Sequence, residues 1–224
     1  KPIFVDINNI NFTICPESLN ETLIKNPNIK AVITVHLYGG SCEIDKICKI
    51  CSTFSIPLIE DCAQACGTKY LNRSVGTFGD FSTFSFYPTK NLAALGDGGA
   101  LLINKSESNI MDFRSLRTYG WNSDREAIRF GVNSRLDELQ AILLSEKLKD
   151  LDIRINQRRK LAELYHKLLF PLIGNSDLLS LPKSQENETH SYHLYVIRVN
   201  HKKRDLARKF CLKRNIPVSI HYPK

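Results

Sequence analysis

Short apolar runs that recur between helical patterns constrain this chain more than any other feature. Strand-like runs fall at "PIFVDI" (2–7), "AVITVHL" (31–37), "IPLIED" (56–61), "FSTFSF" (81–86) and "GALLIN" (99–104). Helical patterns lie among them at 17–25 and 42–54, and after the last run at 106–120. Strands that stay apolar on both faces and alternate with helices predict an α/β fold, a mostly parallel sheet flanked by helices on both sides. From Ser134 to Leu169 the chain has neither proline nor glycine, with Leu136, Leu139, Ile142, Leu143 and Leu148 at helical spacing. That predicts one long helix, or two with a bend, leaving the sheet domain. A polar loop around "LPKSQENETH", the strand-like "YHLYVIRV" (192–199), a helix over 204–215 and "IPVSIHY" (216–222) then predict a small C-terminal α/β domain. The expected division is 1–133 for the sheet domain, 134–171 for the connecting helical segment and 172–224 for the small domain. Strand-like runs at both ends, a first residue Lys1 and a single methionine, Met111, read as a fragment of a longer protein.

Composition narrows the function classes. No apolar run reaches the roughly 18 residues of a membrane span, and no leader pattern opens the chain, so a cytoplasmic protein without a membrane partner is expected. The net charge of +8 admits nucleic acid, but the basic residues in "INQRRK" and "HKKRDLARKFCLKRN" are interleaved with acidic and apolar positions. Such spacing reads as solvated helix faces, and positive charge equally suits a diphosphate-bearing small substrate. Seven cysteines, an odd number, fit reduced thiols rather than a disulfide framework. Cys48 and Cys51 form a C-x-x-C, but Cys62 and Cys66 follow at a different spacing and without matching histidines, so no metal site is expected.

The chemistry concentrates in "FSFYPTKNLAALGDGGAL" (84–101), where Lys90 stands between an apolar strand and a glycine-rich turn. Functional groups of open α/β sheets gather beyond the carboxyl ends of parallel strands. Asp61 ends one such strand and Lys90 follows another by four residues. Each has a plainer reading: Asp61 as the N-cap of a helix over "CAQAC", Lys90 as a surface lysine. The apolar and aromatic flanks of Lys90 predict partial burial, which lowers a lysine's pKa and suits it to Schiff-base chemistry. Ser85 offers a hydroxyl to a phosphate, while Gly96, Gly98 and Gly99 fit a tight turn and match no phosphate-loop pattern. A desolvated lysine, a carboxylate on the neighbouring strand and a hydroxyl are the parts needed for pyridoxal 5'-phosphate (PLP).

"EDCAQACGTKY" (60–70), the lysine block and "GVNSRLDELQAILLSEKLKDLD" (131–152) closely resemble the nucleotide-sugar aminotransferases of the DegT/StrS type. "FVDI", "VHLYGG" and "IHYP" extend the resemblance along nearly the whole chain. It implies the fold of PLP-dependent transferases of the aspartate aminotransferase class (fold type I), with the N-terminal part of the large domain and a C-terminal tail outside this sequence. It implies Lys90 as the catalytic lysine, Asp61 on the pyridine nitrogen, Gln64 beside the ring's phenolic oxygen and Ser85 on the phosphate. Asn133 matches a residue that reaches the phosphate of a neighbouring subunit, so a homodimer with shared active sites is implied. His221 and Tyr222 match a segment near the sugar-nucleotide pocket.

The family resemblance further implies transamination, since a dehydrating branch carries histidine in place of the lysine. "SFYPTKNLAALGDGG" is similar to members that act on 3-keto sugars, apart from Ala93 where glycine is usual. The expected reaction is amination of a nucleoside-diphosphate keto-6-deoxyhexose, at C-3 rather than C-4, with glutamate as donor. The alternative is a non-catalytic relative that binds cofactor or sugar nucleotide as a regulator.

Overall fold

The computed structural model describes residues 1–104, 110–173 and 179–223, with the side chain of Leu179 left aside. In chain order its elements are α1 (Pro16–Lys25), β1 (Val32–Val35), α2 (Ile44–Thr53), β2 (Leu58–Asp61), β3 (Lys69–Tyr70), β4 (Arg73–Ser74), β5 (Phe81–Ser85), β6 (Gly99–Ile103), α3 (Ile110–Leu116), α4 (Glu138–Lys149), α5 (Leu151–Leu169), β7 (Leu179–Ser180), β8 (Glu188–Thr189), β9 (Arg198–Val199) and α6 (Arg204–Leu212). They form two compact units, 1–160 with 183–194 and 161–182 with 195–224.

The first unit is organised by a four-stranded sheet of order β1-β2-β5-β6. β1, β2 and β5 are parallel, and β6 returns antiparallel against β5. Side chains alternate across a strand, so Val32, Thr34, Leu58, Glu60 and Ser82 enter one buried face. α1 and α2 cover that face. α1 begins with Pro16 in its first turn, where the missing N–H costs nothing, and buries Leu19 and Leu23 four residues apart. α2 buries Ile44, Ile47 and Cys51, and these side chains meet Val32 and Leu58 in one core cluster.

The opposite face departs from the expectation of full cover. α3 reaches it through Phe113 against Phe81, ring centroids 5.7 Å apart, while Ile33 stays 61% exposed and Val35 and Leu101 are also exposed. A second core cluster joins Leu92 and Ala94, from the loop after β5, to Leu144, Leu151 and Ile155 of α4 and α5. That packing holds the chain as far as Lys160 with the sheet unit. The helical segment is two helices with Asp150 between them, and its first part packs on the sheet unit. Residues 183–194 also return to the first unit, where β8 pairs with β3 in a small antiparallel sheet of order β4-β3-β8.

Three strand-like runs behave differently from expectation. "PIFVDI" contributes only an isolated bridge between Ile7 and Ile14, "YHLYVIRV" pairs only at Arg198–Val199, and "IPVSIHY" forms no strand. A strand exists through its ladder hydrogen bonds, and among the described residues these runs have little or nothing to pair with. The expected helix over 106–120 is seen from Ile110 to Leu116, its first residues lying outside those described. In the second unit, β7 pairs with β9 and Tyr165 stacks on Tyr195 at 5.2 Å. No helix among the described residues is long and apolar enough to cross a membrane.

Candidate active site

The site is built where β1, β2 and β5 end. Because β2 and β5 are parallel with Asp61 opposite Thr83, Asp61 and Ser85 leave the sheet on the same face, the one α1 and α2 do not cover. The first oxygen of Asp61, Oδ1, accepts the Ala63 N–H at 2.9 Å. This closes a turn rather than capping a helix, and no helix forms over "CAQAC". Among the described residues the second oxygen, Oδ2, takes no hydrogen bond. Gln64 Oε1 accepts the Tyr38 N–H at 2.8 Å, which ties the turn after β2 to the turn after β1.

Lys90 sits in a turn closed by its own N–H to Tyr87 O, 2.9 Å. The side chain is half-buried, and among the described residues its Nζ makes neither a hydrogen bond nor an ion pair. The loop that follows is fastened residue by residue. Asn91 Nδ2 donates to Ser191 O at 3.1 Å, Leu92 and Ala94 enter the second core cluster, Lys147 Nζ donates to Ala93 O at 2.7 Å, and the Leu95 N–H donates to Gln140 Oε1 at 2.8 Å. At the loop's far end Gly99 pairs with Ser85, and a side chain there would lie 2.7 Å from Phe84 O. Ser85 Oγ accepts the Tyr87 N–H at 3.4 Å.

Residues 188–194 form a strap over the β1 turn that sequence reasoning missed. The Ser191 N–H donates to Gly39 O at 2.8 Å, and the Leu194 N–H to Tyr38 O at 3.1 Å. Thr68 Oγ1 donates to Gly39 O at 2.7 Å and shares a hydrogen bond with Ser191 Oγ at 2.8 Å; both side chains are fully buried. Gly39 has φ +100°, and a Cβ there would stand 2.6 Å from His193 N, so only glycine lets the strap close. Glu188 receives the Ser41 N–H and hydroxyl at 2.8 and 3.0 Å, while burial pushes its carboxyl above the usual range. Desolvation likewise holds His190 below the ordinary imidazole value.

Behind the site lies a buried carboxylate–imidazole lock. Glu60 is fully buried, and its carboxylate accepts four hydrogen bonds: Oε2 from His36 Nε2 (3.0 Å) and Gly76 N (2.7 Å), Oε1 from Phe78 N (2.7 Å) and Gly79 N (2.6 Å). The Cys42 N–H, 3.2 Å from His36 Nδ1, makes that nitrogen an acceptor and puts the imidazole proton on Nε2, facing Glu60. Burial disfavours the Glu60 anion, but His36 and the backbone N–H groups outweigh it and lower the pKa. Cys62 stands beside this pair. With both carboxylate oxygens already doubly bonded, the cluster works as a hydrogen-bonded brace for the 76–79 turn.

Among the described residues Asn133 makes no hydrogen bond to this cluster. Asn133 is exposed, bridges Thr118 and accepts from Arg135 Nε at 3.2 Å. His221 and Tyr222 are exposed and belong to the second unit. All seven cysteines are free thiols.

The sequence matches the DegT/DnrJ/EryC1/StrS aminotransferase family over residues 1–224. The chain belongs to that family. Its aminotransferases depend on PLP. Among curated relatives, a "pleiotropic regulatory protein" of Geobacillus stearothermophilus is 40% identical over 223 residues, covering 100% of this chain and 58% of its own. The dTDP-3-amino-3,6-dideoxy-alpha-D-galactopyranose transaminase of Aneurinibacillus thermoaerophilus is 40% identical over 222 residues, covering 99% and 58%. Among solved structures, DesV of S. venezuelae, in complex with a ketimine intermediate, superposes with TM-score 0.91 at 32% identity over 100% of this chain and 58% of that one. The chain thus spans about 58% of the length of the relatives it matches.

Proposed function

We propose that this chain carries the lysine-bearing part of a PLP-dependent aminotransferase that acts on a keto sugar held on a nucleoside diphosphate. Lys90 carries the argument: a half-buried amine with no partner among the described residues, beyond the end of a parallel strand. Asp61, on the adjacent strand, keeps Oδ2 without a hydrogen bond among the described residues. A free amine and an open carboxylate oxygen fit a group that offers an electrophilic carbon to one and a ring N–H to the other. When bound, PLP supplies an electron sink for negative charge developing at the amino donor's α-carbon.

Lys90 Nζ would hold PLP and would serve as the base that moves the proton at the reacting carbon. Asp61 Oδ2 would keep the pyridine nitrogen protonated, Ser85 Oγ would donate to the phosphate, and Gln64, which accepts the Tyr38 N–H, would serve the phenolic oxygen. Asn133 would serve the phosphate of a second copy in a homodimer, and His221 and Tyr222 would contribute to sugar-nucleotide binding. Glutamate is the amino donor and C-3 of a 6-deoxyhexose the aminated position. The name of the Aneurinibacillus relative, a 3-amino-3,6-dideoxy sugar transaminase, supports that position. Comparing turnover of 3-keto and 4-keto nucleotide sugars, with product analysis by NMR, tests it.

The Geobacillus relative's name keeps a regulatory reading in play. Incubation of the full-length protein with PLP, borohydride reduction and peptide mapping should fix the cofactor on Lys90, and Lys90→Ala should abolish both the adduct and turnover. An adduct on another lysine, or undiminished turnover in Lys90→Ala, would overturn the assignment. An adduct on Lys90 with no turnover of any keto sugar would favour the regulator.

A further inference from the structure

The residue after Lys90 has an arrangement that the proposed chemistry does not use. Asn91 Nδ2 donates to the carbonyl of Ser191, 100 residues away, and its Oδ1 is buried without a partner among the described residues. The amide cannot be turned round to satisfy Oδ1, because that would set two oxygens against each other at Ser191. The acceptor is itself immobilised: Ser191 is fully buried, its N–H bound to Gly39 O and its hydroxyl to Thr68. Thr68 in turn grips the turn that offers the Tyr38 N–H to Gln64. Hydrogen bonds joined by short backbone links therefore run from the residue beside Lys90, through the strap, to Gln64.

We infer that Asn91 is a positioning residue, which anchors the Lys90 turn to the strap and so sets the exposure and direction of the lysine amine. The inference rests on Lys90 as the reactive lysine only for its consequence; the anchoring itself is testable without cofactor. Native full-length protein is labelled with limiting acetic anhydride, and each lysine is quantified by mass spectrometry, with Lys25, exposed on α1, as internal reference. In Asn91→Ala, Lys90 labelling relative to Lys25 should rise about fivefold, the population change that one lost hydrogen bond allows. The yield of borohydride-fixed PLP on Lys90 should fall in the same variant. Thr68→Val, nearly isosteric, removes the strap's anchor without touching Asn91 and should move both readings in the same direction, which keeps the test available if Asn91→Ala does not fold.

A folded Asn91→Ala or Thr68→Val protein with a lowered melting temperature but unchanged Lys90 labelling would overturn the inference and leave a purely structural bond. A parent protein that takes no PLP on Lys90, in which Asn91→Ala still raises Lys90 labelling, would overturn the cofactor reading while upholding the anchor.

Discussion

Replacing Glu60 by glutamine tests the carboxylate–imidazole lock behind the site, and its cost can be worked from the hydrogen bonds. The carboxylate accepts two donors on each oxygen, and the amide of glutamine turns one oxygen into a donor. If the amide nitrogen faces Phe78 and Gly79, two buried N–H groups lose their acceptor. If it faces Gly76 and His36, the imidazole can shift its proton to Nδ1, but that nitrogen then confronts the Cys42 N–H. Either way two buried donors are stranded, at about 1–3 kcal/mol each. A loss of about 3 kcal/mol is a large share of the 5–15 kcal/mol that holds a typical domain together. Urea unfolding followed by far-UV circular dichroism should show the midpoint falling by about 1.5 M for an m-value of about 2 kcal/mol/M. The pH dependence has a definite sign. Glu60 titrates below its unfolded value, so its contribution is complete above about pH 4.3 and is lost as pH falls through the lowered folded value. The gap between parent and variant should therefore be widest near neutrality and narrow toward acid. A midpoint shift under about 0.3 M at pH 7 with the same m-value would refute the reasoning.

Gly39→Ala should cost about 2 kcal/mol, because it combines φ +100° with a 2.6 Å approach to His193 N. Urea midpoints and faster proteolytic cleavage within 183–194 would register it. Burial pushes the thiols of Cys48, Cys51 and Cys66 up to about 12, 11 and 11, and raises Cys62 as well. With so little thiolate at neutral pH, these four should react with Ellman's reagent at least about tenfold more slowly in the native protein than in urea. Mass mapping of the modified peptides would identify which sites respond.

The parts of the fold set by local pattern were readable in advance. Four of the apolar runs became β1, β2, β5 and β6, since each has a sheet neighbour to complete its ladder. The antiparallel direction of β6 was not readable, because strand direction depends on how the loop over 86–98 turns back. Lys90 and Asp61 could be singled out because an ionisable group after an apolar strand is conspicuous in sequence. The strap could not. Two of its links to the β1 turn are backbone hydrogen bonds between residues about 150 apart, and a carbonyl accepting an N–H leaves no trace in residue type. Gly39 and the buried Thr68 and Ser191 were the available clues, and small residues of that kind are too common to point to a partner.

The reach from Asn91 to Ser191 also bears on how the protein is made. Synthesis runs from the N-terminus, and the sheet has all four of its strands once Ile103 has emerged. The carbonyl that fastens the Lys90 turn arrives only with residue 191, after three further α-helices have followed. A nascent chain thus holds its framework well before the Lys90 turn is secured, and an interrupted product ending between the two would keep the sheet's strands without the strap. Completion of the lysine loop is in this sense a late checkpoint on the polypeptide rather than a property of the sheet that carries it.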